Sequence, residues 1–210
     1  MDANEAIKII SRERNDAIVV STMTPTRYWQ DVSKSEHLDL PIYGAMGKAS
    51  SVALGLALAK PNDKVIILDG DGGLLTNLGS VVTIADQSPK NLIHFVFEDG
   101  VYFTTGGQPI PGAGKVDFAG IARSSGIVES YSFDDLENFS IELPNIMKKE
   151  GPIFVCLKVK HSDYIPLATN KSTRDSSIKL RRYLIQKIDC NVLFIYSFDL
   201  GLNLFISVKK

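Results

Sequence analysis

The segment from Val65 to Leu78 joins an apolar run, a glycine turn and a helical pattern, and it constrains the fold more than any other part of the chain. Val65-Ile66-Ile67-Leu68 has the length and the side chains of a fully buried strand in a parallel sheet. Glycines follow at once in Gly70-Asp71-Gly72-Gly73, and apolar residues then recur at helical spacing. A strand, a glycine turn and a helix in this order present backbone N–H groups to phosphate in α/β proteins.

Asp71 is unexpected in a bare phosphate site, because a carboxylate repels a phosphate. A divalent cation between the two groups removes that repulsion. A second acid, Asp99, follows the next apolar run, Leu92 to Phe97. Because neighbouring parallel strands end at the same edge of a sheet, we expect Asp71 and Asp99 to face each other. Two carboxylates that close repel unless a cation joins them, so the sequence predicts a phosphate held through a metal such as Mg²⁺.

Strands and helices alternate along the rest of the chain. Further strands are predicted at Asp16–Ser21, Leu38–Tyr43, Ile127–Tyr131 and Pro152–Val159, and further helices at Asn4–Arg14, Arg27–Ser33, Lys48–Lys60, Asp117–Ser125 and Asp134–Lys149, the last interrupted by Pro144. Thr22–Thr26 is expected to be a loop, and the helix at Lys48–Lys60 to be buried because it has almost no polar face. The alternation predicts an α/β fold, a doubly wound parallel sheet with helices on both faces.

The chain is expected to divide into a binding domain, residues 1–160, and a C-terminal tail, residues 161–210. An exposed basic helix is predicted at Ser176–Lys187, followed by an apolar segment, Val192–Val208, in which the central Asp199 argues against a membrane span. A net charge of −1 gives no reason to expect nucleic acid or an anionic membrane as a partner. No signal-peptide pattern is visible and there are two cysteines, so a cytoplasmic location is expected.

Another glycine-containing loop, Gly44-Ala45-Met46-Gly47, precedes the helix at Lys48–Lys60. Its glycines let the backbone approach a flat ligand, and Met46 can wedge beneath that ligand. Ordinary explanations exist for single residues, since Met46 alone could be a core residue and Asp71 alone could cap a helix. The flanking glycines and the pairing with Asp99 favour the binding interpretation for Asp71.

A glycine- and proline-rich segment, Gly106–Gly114, is predicted to be a loop of the kind that closes over ligands. Polar residues beside glycines in such loops are often functional, so Thr105 is a candidate for cofactor binding and Gln108 for catalysis.

The remaining polar candidates are less specific. His94 lies in the middle of a predicted strand and is expected to be a core histidine with satisfied hydrogen bonds. His37 and His161 have no evident partners in the sequence. Lys48 and Arg27 could contact an anionic substrate, although a surface or helix-terminal role is as well supported.

Gly70-Asp71-Gly72, followed after 26 residues by Asp99, resembles the thiamine diphosphate (ThDP) motif, which runs from Gly-Asp-Gly to an Asn at about this spacing. The loop of Met46, 25 residues before Asp71, resembles the matching loop of acetolactate synthases and pyruvate decarboxylases. Residues 40–112 more closely resemble sulfopyruvate decarboxylase β subunits and phosphonopyruvate decarboxylases. The resemblance rests on Gly-Ala-Met-Gly-Lys-Ala-Ser-Ser, Gly-Asp-Gly-Gly-Leu-Leu-Thr-Asn-Leu-Gly-Ser, Ser-Pro-Lys-Asn-Leu-Ile-His and Gly-Val-Tyr-Phe-Thr-Thr-Gly-Gly-Gln.

The resemblance implies a role for each matching residue. Asp71 and Asp99 would bind Mg²⁺ through their side chains, and Val101 through its carbonyl. Gly44 and Met46 would bind the aminopyrimidine through their backbone, and Met46 would keep ThDP in the bent form that brings its amino group to the reactive carbon. The diphosphate would contact the turn that contains Gly70, Gly72 and Gly73, through the amides of the last two.

Two positions depart from the family pattern. Asp99 stands where the family has Asn, and Tyr28 where it tends to have an acid. Asp is still an oxygen ligand, so we expect binding to survive with one more negative charge at the metal.

The activity implied is ThDP- and Mg²⁺-dependent, non-oxidative decarboxylation of a small anionic 2-oxo acid of the sulfopyruvate or phosphonopyruvate type. Such enzymes need a glutamate on N1′ of the pyrimidine, and a chain of 210 residues has no room for the domain that carries it. The resemblance therefore implies a pyrimidine-domain α subunit as partner and a hetero-oligomer. Alternatives are the β subunit of a 2-oxo acid oxidoreductase, disfavoured by the lack of clustered cysteines, an acetolactate synthase-like subunit, and a catalytically silent ThDP-binding subunit.

Overall fold

A computed structural model describes residues 1–161, 166 and 172–186 of the chain. The strands in these residues are β1 Ile18–Thr22, β2 Asp39–Ile42, β3 Val65–Gly70, β4 Leu92–Glu98, β5 Val101–Tyr102, β6 Gln108–Pro109, β7 Glu129–Phe133 and β8 Ile153–Lys158. The helices are α1 Ala3–Glu13, α2 Met23–Val32, α3 Ala49–Ala59, α4 Asp71–Leu75, α5 Gly79–Gln87, α6 Phe118–Ser124, α7 Leu136–Ile146 and α8 Thr173–Gln186, with short 3-10 turns at Glu36–Leu38 and Phe103–Thr105.

Six of these strands form one parallel sheet in the order β2-β1-β3-β4-β8-β7. Side chains alternate between the faces of a strand, and β3 shows the result. Val65 and Ile67 belong to the core under α3, α5 and α6, whereas Ile66 and Leu68 belong to the core under α1, α2 and α7. Both faces of the sheet are therefore covered by helices, and the predicted doubly wound α/β fold is confirmed.

The loop predicted at Thr22–Thr26 is wrong, because α2 begins at Met23, directly after β1. Pro25 suggested a loop, yet it lies in the first turn of α2. The first four N–H groups of a helix have no partner within it, so a proline there removes no hydrogen bond. The first residue, Met23, is left-handed with φ 53°, which is costly for a side chain of this size.

Other helices differ from the prediction in detail. The helical pattern through Leu78 divides into α4 and α5. The helix α7 continues past Pro144 to Ile146, so the proline lies in its last turn. The helix α3 is buried on one face only: Ala53 is fully buried, but Leu58 is 49% exposed. The segment Gly106–Gly114 contains the short strand β6, which pairs with β5.

The predicted basic helix corresponds to α8, but it is not exposed on all sides. Leu180 is buried in the core, and Thr173 Oγ1 donates to the Pro41 carbonyl of the edge strand β2 at 2.9 Å. The division of the chain at residue 160 stays a prediction, and the apolar segment Val192–Val208 lies outside the described residues. Among the helices that the structure describes, none is long and apolar enough to cross a membrane.

Candidate cofactor-binding site

A cleft lies at the carboxyl ends of the central strands, where the sequence places its most specific motif. Strands β3 and β4 pair in register up to Gly70 and Phe97, so the residues that follow them emerge side by side. The cleft brings together seven of the residues predicted to form the site: Met46, Gly70, Asp71, Gly72, Gly73, Asp99 and Val101. The expectation that Asp71 and Asp99 meet at one edge of the sheet is therefore correct.

Asp71 is held by two backbone amides at the base of this cleft. Its Oδ1 accepts from Gly72 N and its Oδ2 from Gly100 N, both at 2.7 Å, and the residue is 2% exposed. Burial raises the pKa of Asp71 to about 7, and the charge of Asp99 adds to the rise, while the two amide hydrogen bonds oppose it. A divalent cation beside the two carboxylates would stabilise their ionised forms and oppose this rise in pKa, so the two carboxylates fit a metal site.

Asp99 has two partners as well, and one of them was not expected. Its Oδ1 accepts from Val101 N at 2.9 Å, and its Oδ2 lies 2.6 Å from His161 Nε2. The other ring nitrogen, His161 Nδ1, lies 3.0 Å from the hydroxyl of Tyr28. His161 had no evident partner in the sequence because it follows β8, and only the strand order shows that β8 lies beside β4.

The loop of Met46 is fastened to the turn that carries Asp71. Asn77 Nδ2, just after α4, donates to the Gly47 carbonyl at 2.7 Å. Gly47 has φ 68°, and a Cβ atom there would lie 2.4 Å from Thr76 Oγ1, so only glycine fits. This contact joins the two glycine motifs, which are far apart in the sequence, and brings Met46 to the same cleft as Asp71.

The N-terminal half of α2 lines another part of the cleft. Met23, Thr24, Pro25 and Tyr28 line the cleft, together with Phe103 and His161. Met23, Thr24 and Pro25 were not predicted to line it, because residues 22–26 were expected to form a loop. The one sequence signal for this part of the cleft was Tyr28, a bulky residue at a position where the family that the chain resembles tends to carry an acid.

Comparison with known proteins assigns the chain to a family. Residues 17–157 match the family described as "Thiamine pyrophosphate enzyme, C-terminal TPP binding domain". The chain belongs to this family. The resemblance seen in the Gly-Asp-Gly turn and the Met46 loop is therefore confirmed.

Similar proteins within the family include decarboxylases. Sulfopyruvate decarboxylase subunit beta of Methanothermobacter thermautotrophicus is 38% identical over 157 residues, which are 74% of this chain and 80% of that subunit. Phosphonopyruvate decarboxylase of Streptomyces viridochromogenes is 32% identical over 168 residues, which are 79% of this chain but 41% of that enzyme. The match thus spans most of the β subunit and less than half of the phosphonopyruvate decarboxylase.

A solved structure shows the same fold. The thiamine diphosphate-dependent 4-hydroxybenzoylformate decarboxylase of Rhodococcus jostii RHA1 superposes with a TM-score of 0.65 at 19% identity, covering 78% of this chain and 33% of that one.

Three predicted site residues of this ThDP-binding domain do not line the cleft. Gly44, Thr105 and Gln108 are exposed. Thr105 Oγ1 lies 3.4 Å from Gln108 Oε1, so these two loop residues contact each other. The roles predicted for all three stay predictions. Lys48 and Arg27 also lie outside the cleft lining.

The prediction for His94 is partly wrong. The residue is 1% exposed and belongs to the core, but neither ring nitrogen makes a hydrogen bond. Its Nε2 lies 3.7 Å from Asp69 Oδ2, which is beyond hydrogen-bond distance.

Proposed function

We propose that this chain is the cofactor-binding subunit of a ThDP- and Mg²⁺-dependent decarboxylase that acts on a small anionic 2-oxo acid. The observation that carries the proposal is the placement of Asp71 and Asp99 at one cleft, beside the Met46 loop. The substrate class, of the sulfopyruvate or phosphonopyruvate type, is inferred from the relatives, whose names carry those activities.

The donor set suits magnesium. Mg²⁺ is bound through one or two carboxylates together with phosphate oxygens and water, and it rarely occupies an all-protein cage. In the described part of the chain, no three His, Cys, Asp or Glu side chains converge as a metal site. The ion would therefore take Asp71, Asp99 and the Val101 carbonyl from the protein and its other ligands from the diphosphate and water.

When bound, ThDP supplies the nucleophilic carbon and the electron sink that decarboxylation of a 2-oxo acid requires. The chain's own contribution is binding and orientation. The amides of Gly72 and Gly73 would bind the diphosphate, and the Gly72 N–H would then be shared with Asp71, to which it donates at 2.7 Å. Met46, which lines the same cleft, would support the bent form of the cofactor.

We infer that the active enzyme is a hetero-oligomer. Three similar proteins are named as β subunits of sulfopyruvate decarboxylase, and this chain covers between 75% and 86% of their lengths. The glutamate on N1′ would then come from a pyrimidine-domain α subunit. The active site would lie between the two chains, with this chain holding the metal and the diphosphate.

Reconstitution tests the proposal. The purified chain is titrated with ThDP at fixed Mg²⁺ by calorimetry. CO₂ release from sulfopyruvate, phosphonopyruvate and pyruvate is then measured with and without a co-expressed pyrimidine-domain subunit. We expect ThDP binding that is lost on adding EDTA, and CO₂ release from one of the first two acids only when both chains are present. Full activity of this chain alone would contradict the half-site. Failure of ThDP binding in both preparations would contradict the function.

A further inference from the structure

The two departures from the family pattern are joined in the folded chain. Asp99 and Tyr28 lie 71 residues apart in the sequence, yet each is within hydrogen-bond distance of one ring nitrogen of His161. Tyr28, His161 and Asp99 therefore form a continuous hydrogen-bonded chain, which we call the Tyr28 relay. It runs from the buried side of α2 to a predicted metal ligand.

The backbone around His161 is fixed from three sides. The Val159 N–H donates to the Glu98 carbonyl at 2.9 Å and so extends the β4–β8 ladder as far as Asp99. The Lys160 N–H donates to the Met1 carbonyl at 2.8 Å, and the Ala3 N–H donates to the Lys160 carbonyl at 3.0 Å. These hydrogen bonds place His161, the residue after Lys160, at the end of β4 beside Asp99.

The imidazole ring is also clamped by aromatic side chains. The Tyr28 ring stacks at a centroid distance of 5.8 Å and an angle of 10°, and the Phe103 ring lies at 4.2 Å. His161 is left with 11% side-chain exposure and Asp99 with 12%. Packing of this kind restricts the imidazole to one rotamer.

The direction of the hydrogen bonds follows from the groups themselves. An ionised carboxylate only accepts, so His161 Nε2 carries the proton and donates to Asp99. In a neutral ring Nδ1 then accepts, and it faces the hydroxyl of Tyr28. Burial raises the pKa of Tyr28 to about 12, so this hydroxyl keeps the proton that it donates.

We propose that His161 and Tyr28 are positioning residues for the metal site and that they adapt it to an aspartate. In an asparagine, the amide nitrogen carries its own hydrogens and leaves the oxygen for the metal. The second carboxylate oxygen of Asp99 carries no hydrogen, and the N–H of His161 donates a hydrogen bond to it. The relay holds the carboxylate in one orientation and draws charge from it, while free lone pairs remain for the cation. This inference rests on the proposed Mg²⁺ function.

A purely structural role is the competing explanation, because the relay also links α2 to the end of β8. The two explanations differ in one respect. A structural clamp acts whatever residue occupies position 99, whereas a positioning role acts only through the Asp99 carboxylate. A double-mutant cycle between the two residues separates them.

The cycle uses the full-length chain, with excess ThDP, and measures Mg²⁺ affinity by calorimetry. His161→Phe keeps a ring between Tyr28 and Phe103 but removes both nitrogens. We expect it to weaken Mg²⁺ binding by about 10- to 100-fold, the range seen when the partner of a metal ligand is lost. His161→Gln, whose amide can donate to Asp99, is expected to restore most of that loss. In an Asp99→Asn background, His161→Phe is expected to change the affinity less than about twofold, because coupled sites are not additive.

The control is His37→Phe, since His37 is exposed and contacts the ring of Tyr183, away from the cleft. It is expected to leave Mg²⁺ affinity unchanged. An equal loss from His161→Phe in both backgrounds would overturn the positioning role, as would a failure of His161→Gln to restore binding.

A spectroscopic measurement keeps this inference separate from the proposed function. The ¹⁵N spectrum of the histidine rings in the metal-free, full-length chain is expected to show His161 as a single tautomer protonated at Nε2. Asp99→Asn is expected to disturb that signal. A mixture of tautomers would overturn the relay itself. If the wild-type chain shows the single tautomer but no Mg²⁺-dependent ThDP binding, the proposed function fails and the metal role of the relay fails with it.

Discussion

In the described part of the chain, one carboxylate–histidine pair lies within the central strands and another lies just after their ends, and the two differ in almost every respect. Asp99 and His161 stand at the edge of the sheet, 2.6 Å apart, with side chains 12% and 11% exposed. Asp69 and His94 lie inside it, 3.7 Å apart, with side chains 0% and 1% exposed. The edge pair is hydrogen-bonded and satisfied, whereas Asp69 Oδ2 and both nitrogens of His94 lack a hydrogen-bond partner.

The difference arises from where each pair stands relative to the ends of the strands. Asp69 and His94 belong to β3 and β4 themselves, where Asp69 is opposite Val96 and His94 opposite Ile67. The register offsets them by one step on the same face, and the sheet fixes their separation. Asp99 and His161 follow the last residues of β4 and β8, where the backbone is free to turn and bring the two groups together. We therefore expect the edge pair to govern ligand affinity and the interior pair to govern stability.

The largest effect on ligand affinity should come from Asp71, the other acid at the sheet edge. Asp71→Ala is expected to weaken Mg²⁺-dependent ThDP binding by at least about 100-fold, because loss of a residue that merely supports a metal ligand already costs about 10- to 100-fold. Asp86→Ala, which removes an exposed acid on α5, is the control and should leave the affinity unchanged. Calorimetric titration of both variants measures this. Retention of wild-type affinity in Asp71→Ala would remove this carboxylate from the metal site.

The turn Gly70–Gly73 should not tolerate a methyl group at Gly73. A Cβ atom on Gly73 would lie 2.5 Å from Asp69 Oδ1, whereas one on Gly70 would meet nothing within 4 Å. Gly73→Ala is therefore expected to lower the free energy of unfolding by about 1–3 kcal/mol, the usual cost of overpacking. Gly70→Ala, three residues earlier, should change it by less than about 0.5 kcal/mol, as is usual for substitutions without contacts. Urea denaturation followed by circular dichroism measures the difference, and equal values for both variants would contradict the close packing.

The interior pair should affect stability without affecting affinity. His94→Ala removes a buried ring that packs edge-on against Phe154 at a centroid distance of 5.3 Å. The resulting cavity is expected to cost about 2–4 kcal/mol of unfolding free energy, in the range for large-to-small core substitutions. Mg²⁺ affinity of the folded chain should stay within twofold. His37→Ala, on the surface, should change neither quantity. A tenfold loss of affinity in His94→Ala would show that the interior pair also serves the site.

The two carboxylate–histidine pairs were not predicted from the sequence, although the meeting of Asp71 and Asp99 was, and the difference has a definite cause. Asp71 and Asp99 follow two strands that are consecutive in the chain, and consecutive strands in an α/β fold commonly pair, so their meeting was predictable. His161 follows β8, and nothing local indicates that this strand lies beside β4. Tyr28 was noted as a departure from the family pattern, but its contact with His161 could not be predicted, because the two residues are 133 positions apart. Local patterns therefore located the predicted ligands, while the residues that contact them depend on strand order.

The smallest predicted effect on ligand affinity concerns the negative charge of Asp99, which replaces the Asn of the family pattern. Asp99→Asn keeps an oxygen ligand but removes one negative charge, and ligand charge is one of the factors that set the affinity for a hard cation. We expect Mg²⁺ binding to weaken by about three- to tenfold, a change of about 0.7–1.4 kcal/mol. ThDP affinity at saturating Mg²⁺ should stay close to the wild-type value, because the substitution leaves untouched the diphosphate contacts that we propose for Gly72 and Gly73. Parallel titrations with Mg²⁺ and with ThDP separate the two quantities. An unchanged Mg²⁺ titration would contradict a role for this extra charge in Mg²⁺ binding.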